Sequence, residues 1–252
     1  MDYAALSQYP GWIAAALVAI FLSGVLRGFS GFGASLFSVP VLSLMFAPSD
    51  VAPIMMGVQI LSGLQTFSSD RHFIDWSCVT PMALASSVTA IIGVLALIKV
   101  DTDQVRLVMS LIVSATVVIL VSGWRYHRAP HVGTSLGVGA TSGLLNGFSA
   151  MGGPPLIAFF LGGPFMPATS RSSMTFLFMV QGAASLACIA VIGRVGVESF
   201  LTMIAVFPLM AAGTVVGTSL FHAIGSTHYR FVSITALGIL AVSLAIRAGW
   251  PG

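Results

Sequence analysis

A polar, glycine-rich break reads Arg27-Gly28-Phe29-Ser30-Gly31-Phe32-Gly33 and separates two apolar runs, about residues 12–27 and 33–46. Each run is short for a full membrane span, which needs about 20 residues. Glycine lets the backbone bend and lets other groups approach it closely. An arginine within an apolar membrane segment marks a functional site, because its burial is costly. We predict that this break interrupts a helix and forms one half of a binding site.

The composition indicates a membrane protein. Of the 252 residues, 57% are hydrophobic and 7% are charged, whereas a soluble domain carries about 25% charged residues. Backbone polar groups inside a bilayer must bond to one another, so membrane segments are helices or closed barrels. The apolar runs are continuous and lack the period of two that is typical of barrels. We therefore predict an all-α, multi-pass protein of the cell inner (plasma) membrane, with residues 1–252 forming one transmembrane domain.

Charges, prolines and glycines divide the chain into ten apolar segments, five in each half. The segments of the first half cover about residues 12–27, 33–46, 50–68, 77–98 and 105–123. The segments of the second half cover about residues 133–147, 153–165, 170–193, 198–221 and 230–248.

The two halves repeat one another at an offset of 119 residues, with repeat 1 at about 12–124 and repeat 2 at about 133–248. The matching residues include Gly28-Phe29-Ser30 with Gly147-Phe148-Ser149, and Gly33 with Gly152. Each half has an odd number of crossings, whether its first two segments span the membrane or form a re-entrant hairpin. The halves are then inverted, which is a recurring plan in secondary transporters. We predict two inverted repeats with broken or re-entrant helices at the glycine-rich motifs.

The duplicated motifs also resemble a known family. The residues that carry the resemblance are Ser23-Gly24, Gly28 to Gly33 leading into Val39-Pro40-Val41-Leu42, and the second copy, Asn146 to Pro155. They are similar to the sulfite exporter TauE/SafE-type membrane transporters. This resemblance implies secondary export or uptake of small anions such as sulfite and organosulfonates. The chain departs from a full glycine run, because Phe32, Ala34 and Ser35 interrupt the first copy and Pro154-Pro155 interrupt the second.

The two breaks together predict an anion site. A helix interrupted inside a membrane offers free N–H groups where it resumes, and the helix dipole attracts anions to that end. Inverted repeats would bring the two resumption points together, with serine hydroxyls beside them. The predicted substrate-binding residues are Arg27, Ser30, Gly31, Gly33, Gln59, Asn146, Ser149, Gly152, Gly153, Arg171 and Gln181.

Each of these residues also has a structural interpretation that the sequence leaves open. Small residues allow tight helix packing, and glutamines can join helices. Arg27 can snorkel to the interface at the end of its segment, and Arg171 can be an ordinary loop charge. Asn146 aligns with Arg27 but is neutral, so the site would not be symmetric in charge.

The acidic residues lie at or beyond the ends of the apolar segments. Proton-driven carriers often use a buried carboxylate near the middle of the membrane as a relay, and no acidic residue is expected there. Asp50 is expected to cap the third segment. Coupling through the substrate's own proton and uniport both remain open.

The sequence shows no pattern of an enzyme or of a metal site. His-Glu-x-x-His, Gly-x-Ser-x-Gly and P-loop motifs are absent, and the histidines and cysteines have no metal-ligand spacing. We expect no catalytic residue, cofactor, metal or nucleic acid, and we expect a small anion and the lipid bilayer as partners, with a homodimer left open. The alternatives are an anion channel on the same scaffold and a membrane-embedded enzyme or assembly factor.

Overall fold

The computed structural model describes residues 10–43, 45–127 and 131–224, and within these ranges it contains nine α-helices and no strand. The helices are α1 (Pro10–Ser30), α2 (Ala34–Ser43), α3 (Pro48–Asp70), α4 (Trp76–Leu97), α5 (Thr102–Val121), α6 (Val132–Ser149), α7 (Gly153–Gly162), α8 (Pro167–Val191) and α9 (Val197–Ile224). The all-α prediction is confirmed. Each of the first nine predicted segments overlaps one helix, and the tenth, about 230–248, lies outside the described residues.

Local sequence explains where the helices begin. Proline stands in the first turn of α3 and of α8, where its fixed φ suits a helix and its missing N–H is not needed. The Asp75 side chain caps α4 by accepting a hydrogen bond of 3.1 Å from the Ser77 N–H. Asp50 is not the N-cap residue of α3, which is Ala47, and it lies instead in the first turn of that helix.

Six helices of the described part are long and apolar enough to cross a membrane, namely α1, α3, α4, α5, α8 and α9. The multi-pass interpretation agrees with these lengths. Helices α2 and α7 are apolar but have only ten residues each. Large apolar side chains such as Leu84 and Val118 are exposed on the long helices, as expected for surfaces that meet lipid.

The helix contacts form pairs that correspond between the two halves. Helix α1 packs along α9, and α6 packs along α4. Helix α3 contacts α8 at the centre, while α9 contacts α3 and α4 contacts α8. Under the 119-residue offset, α1 corresponds to α6, α3 to α8 and α4 to α9. The α1–α9 contact therefore corresponds to the α6–α4 contact, and the α9–α3 contact to the α4–α8 contact. The α3–α8 contact corresponds to itself.

Glycines bring the paired helices close together. A methyl group at Gly28 of α1 would collide with the Thr214 carbonyl of α9, and one at Gly147 of α6 would collide with the Ala90 carbonyl of α4. These two glycines occupy equivalent positions in the halves. Close backbone approach through small residues is the usual way in which membrane helices pack. The close contact of α1 with α9 and of α6 with α4 holds α1 and α6 in position, and with them the ends of these helices.

Candidate functional site

Helices α1 and α6 end in the same way. Gly31 follows α1 with φ of 81°, and its N–H donates to the Arg27 carbonyl at 2.7 Å. Ala150 follows α6 with φ of 58°, and its N–H donates to the Asn146 carbonyl at 2.6 Å. A left-handed residue just after the last turn is a common helix stop. In the part of the chain that the structure describes, Ala150 is the only non-glycine residue with positive φ.

A small cavity of about 10 Å³ lies where the two helix ends meet the starts of α2 and α7. Its lining consists of Arg27, Phe32, Gly33, Ala34, Ser35, Leu36 and Gln59 from the first half, and of Ala150, Met151, Gly152, Gly153 and Phe178 from the second. This volume has room for roughly one water molecule. An oxoanion is larger, so the cavity must widen to admit one.

Arg27 is the one charged residue in this lining. Only 3% of the residue is exposed, and its Nε and Nη2 atoms have no hydrogen-bond partner. The charged groups that act on its guanidinium are Asp70 and Arg171. An arginine that snorkels places its head group at the polar interface, which such deep burial excludes. The guanidinium therefore offers an open binding position for an anion.

The start of α2 adds backbone donors on the same side of the cavity. The first hydrogen bond into this helix runs from the Phe37 N–H to the Gly33 carbonyl at 2.9 Å. The N–H groups of Ala34, Ser35 and Leu36 thus have no partner within the helix, and all three residues line the cavity. Together with the helix dipole, these groups favour a negative charge.

The start of α7 is a poorer donor than the repeat alone suggests. Pro154 and Pro155 occupy its first turn, and proline has no N–H group. Gly153 and Leu156 are left to supply donors at this end. The start of α7 therefore lacks two of the backbone donors that a helix start usually offers.

Gln59 joins the two halves at the cavity. Its Nε2 atom donates to Ser35 Oγ at 2.8 Å, to Ala150 O at 2.9 Å and to Asn146 Oδ1 at 3.2 Å. The Asn146 Nδ2 atom, which is buried, has no partner. The Ser35 oxygen accepts a bond, so its hydroxyl proton is available to the cavity. Gln59 and Asn146 thus fix the polar wall, and Gln59 is part of the lining itself.

Gln181 does not line the cavity but supports the backbone between α6 and α7. Its Nε2 atom donates to Ser142 Oγ at 2.9 Å, and that hydroxyl donates to the Gly152 carbonyl at 2.6 Å. A Cβ atom at Gly152 would lie 2.6 Å from the Ser142 carbonyl oxygen and 2.8 Å from Gln181 Oε1. Only glycine fits in this place.

The other predicted residues lie outside the lining. The Ser30 Oγ atom lies 2.6 Å from the Leu26 carbonyl oxygen and 2.7 Å from the Phe32 carbonyl oxygen, and these two oxygens share its single proton. The Ser149 hydroxyl donates to the Leu145 carbonyl at 2.9 Å. Both serines therefore hold the shape of their breaks.

Gly31 and Arg171 belong to a second polar group beside α1. A Cβ atom at Gly31 would lie 2.6 Å from Arg171 Cα. The Arg171 Nη2 atom lies 3.4 Å from Asp70 Oδ2 and 3.4 Å from Thr218 Oγ1. Its guanidinium carbon lies 5.1 Å from the centre of the Phe221 ring. Arg171 already has a carboxylate partner, so its charge is compensated.

Asp70 lies at the end of an apolar segment, as the sequence indicates, but its side chain is buried. It is the last residue of α3, it is 8% exposed, and it pairs with Arg171 of α8. In the sequence it precedes Arg71-His72, which is typical of a solvated helix end. Its burial depends on α8 and α9 packing over it, which the local sequence does not show.

Seven residues of the lining were not predicted from the sequence, namely Phe32, Ala34, Ser35, Leu36, Ala150, Met151 and Phe178. The repeat held a signal for three of them. Ala34 stands at the position of Gly153, Ala150 at the position of Gly31, and Phe178 at the position of Gln59. Aligning the predicted site residues onto the other half would have found all three.

A larger crevice of about 150 Å³ lies between α1, α3 and α9. Its lining is apolar except for Thr202, so it offers an anion almost nothing to bind. Among the described residues, no group of three or more His, Cys, Asp or Glu side chains is placed to hold a metal ion. The cavity at Arg27 is therefore the better candidate site.

Comparison with protein families gives a match over most of the chain. The family model for "Sulfite exporter TauE/SafE" matches residues 16–244, which is most of the chain. No curated protein and no solved structure matches it.

Proposed function

The chain belongs to the sulfite exporter TauE/SafE family of membrane transporters, and we propose on that premise that it is a secondary transporter of small anions. The substrates would be sulfite or organosulfonates, carried across the plasma membrane. The observation that supports this proposal is the buried Arg27 guanidinium, which lacks partners for Nε and Nη2 and faces a cavity shared by both halves.

The energetics of Arg27 favour an anion as its partner. Burying a charge without a partner costs several kcal/mol, and the protein tolerates this cost at one cavity. A guanidinium binds oxoanions through a planar fork of N–H groups. The free N–H groups at the start of α2 would bind further oxygens of the same anion.

Alternating access would follow from inverted repeats around this cavity. The exchange of helix contacts between the halves supports such an arrangement, as do the equivalent starts of α2 at Ala34 and α7 at Gly153. The small cavity volume fits a state that is closed around its site. Substrate entry would require α2 and α7 to move apart, which would open the site to one side at a time.

A binding and transport experiment tests the proposal. Purified protein is heated with sulfite, methanesulfonate or acetate, and the melting temperature is compared with that in chloride. An anion at about 100 times its Kd should stabilise the protein by about 2.7 kcal/mol. Arg27→Gln should abolish this shift and uptake into proteoliposomes, whereas the exposed Arg194→Gln should preserve both.

Two results would contradict the proposal. One is that all the anions leave the melting temperature unchanged, and the other is that Arg27→Gln binds them as the parent does. Electrical currents far above carrier turnover would instead indicate the anion channel.

A further inference from the structure

The three buried charged residues around α1 do not balance one another. Arg27, Asp70 and Arg171 are 3%, 8% and 6% exposed. Arg171 pairs with Asp70, with Nη2 and Oδ2 3.4 Å apart. Arg27 has no such partner, and no other charged side chain lines its cavity. The three groups therefore sum to one positive charge, which lies at the cavity.

This net positive charge favours singly charged anions over doubly charged ones. The cost of removing an ion from water rises with the square of its charge, by Born solvation, while its attraction to a single arginine rises only in proportion. A monoanion cancels the charge of Arg27. A dianion would leave one net negative charge buried at the cavity, with a desolvation cost about four times as large.

The rest of the lining provides no second cation to balance a dianion. The neutral donors near the cavity include the N–H groups at the start of α2, the Gly153 N–H, the Ser35 hydroxyl and, behind the lining, Asn146 Nδ2. Phe32, Leu36, Met151 and Phe178 make much of the remaining wall apolar. Such a wall suits an oxoanion that carries an alkyl group or has one face without charged oxygens.

We infer that the site selects singly charged oxoanions, R–SO3⁻ or hydrogen sulfite, against dianions of the same shape such as sulfate. This inference rests on the proposed function, because it takes the Arg27 cavity as the anion site. Sulfite would then be recognised as its protonated monoanion, and its transport would fall as the pH rises.

Few other groups near Arg27 can change charge. Asp70 comes from α3 and Arg171 from α8. Helix α9, which packs along α1, carries Glu198 in its first turn and His222 in its last turn, while α2, α6 and α7 carry no titratable side chain. A ligand of fixed charge therefore serves as a control for titration of the protein itself.

The test uses three tetrahedral ligands in calorimetric binding to the purified full chain. Methanesulfonate is always a monoanion, sulfate is a dianion at neutral pH, and methylphosphonate changes from monoanion to dianion across the neutral range. Methanesulfonate should bind at least about tenfold more tightly than sulfate, with little change across this pH range. Methylphosphonate should lose about tenfold in affinity per pH unit above its second ionisation, because only its monoanion binds.

Asp70→Asn provides a second test away from the lining. It raises the buried sum from one to two positive charges, so the preference should shift toward sulfate. If this variant does not fold, the pH series with methylphosphonate on the parent protein still tests the selectivity for monoanions.

The outcomes separate the two proposals. Sulfate binding as tightly as methanesulfonate, or methylphosphonate binding more tightly at high pH, would overturn the selectivity for monoanions and leave anion transport standing. Failure of all three ligands and of sulfite to bind would overturn the proposed function itself.

Discussion

Replacing Arg27 by methionine should stabilise the protein in the absence of anions. Methionine has a similar length and fills the same space, but it carries no charge and no N–H group. The Arg27 side chain has two buried nitrogen atoms without partners. It is attracted by Asp70 and repelled by Arg171, so these two contributions oppose one another. The cost of burying the guanidinium is then largely uncompensated.

The size of this effect follows from known cases. Replacing buried ionic groups by apolar residues of similar volume is neutral or stabilises by about 1–4 kcal/mol. A change of 1 kcal/mol shifts the melting temperature by roughly 2–4 °C for a chain of this size. Arg27→Met should therefore raise the melting temperature of the ligand-free protein by several degrees, and it should abolish the further rise that anions produce.

Thermal unfolding in one detergent, with and without methanesulfonate, measures both effects. Arg194→Met is the matched control, since Arg194 is exposed and surface substitutions change stability by about 0.5 kcal/mol or less. If Arg27→Met lowers the melting temperature of the ligand-free protein, Arg27 is a structural residue with a partner in the fold. Arg27 would then not offer an open position to an anion.

Three further predictions concern the residues around the site. Arg171→Met should destabilise the protein by about 3–5 kcal/mol, because it leaves Asp70 buried without a partner, and adding Asp70→Asn should recover part of this loss in the melting temperature. Gly33→Ala should cost about 1–3 kcal/mol through backbone strain alone, because φ is 97° and the nearest atom to the new methyl group is 3.5 Å away; Ala150→Gly should have the opposite sign in the same assay. Burial raises the pKa of the Tyr126 hydroxyl from 10.0 to about 12, so the folded state favours the protonated form and stability should fall as the pH rises from about 10 to about 12. Tyr126→Phe should remove this alkaline loss, and an unchanged pH profile would contradict the assignment.

The positions of the helices were largely predictable, because the residues that begin and end them act on their own backbone conformation. Proline at positions 48 and 167 fixes φ, and glycine at positions 31 and 33 permits the positive φ that ends a helix. These residues stand at the ends of apolar runs. Five of the eleven predicted site residues line the cavity, namely Arg27, Gly33, Gln59, Gly152 and Gly153. Arginine and glutamine are costly in an apolar segment, and the three glycines belong to the repeated breaks, which is why the sequence singles these residues out.

The pairing of charges was not predictable in the same way. Arg27 and Arg171 look alike in the sequence, since each stands near the end of an apolar segment. One lacks a carboxylate partner and the other has Asp70, a residue 101 positions away in the chain. Only the packing of α3 against α8 decides which arginine is neutralised, and local sequence contains no record of that contact.

The two halves share their backbone plan but not their chemistry. Under the 119-residue offset, Arg27 aligns with Asn146, Ser35 with Pro154 and Gln59 with Phe178. Arg27 is charged, whereas Asn146 is neutral. Ser35 has a backbone N–H group, whereas Pro154 has none. Gln59 has a polar side chain, whereas Phe178 is apolar. Duplication can account for a cavity between two similar helix breaks, whereas the differences between the copies place its single charge on one side. An anion would therefore bind off the centre of the cavity, against α1 and α2, and α7 would be free to move as the site opens.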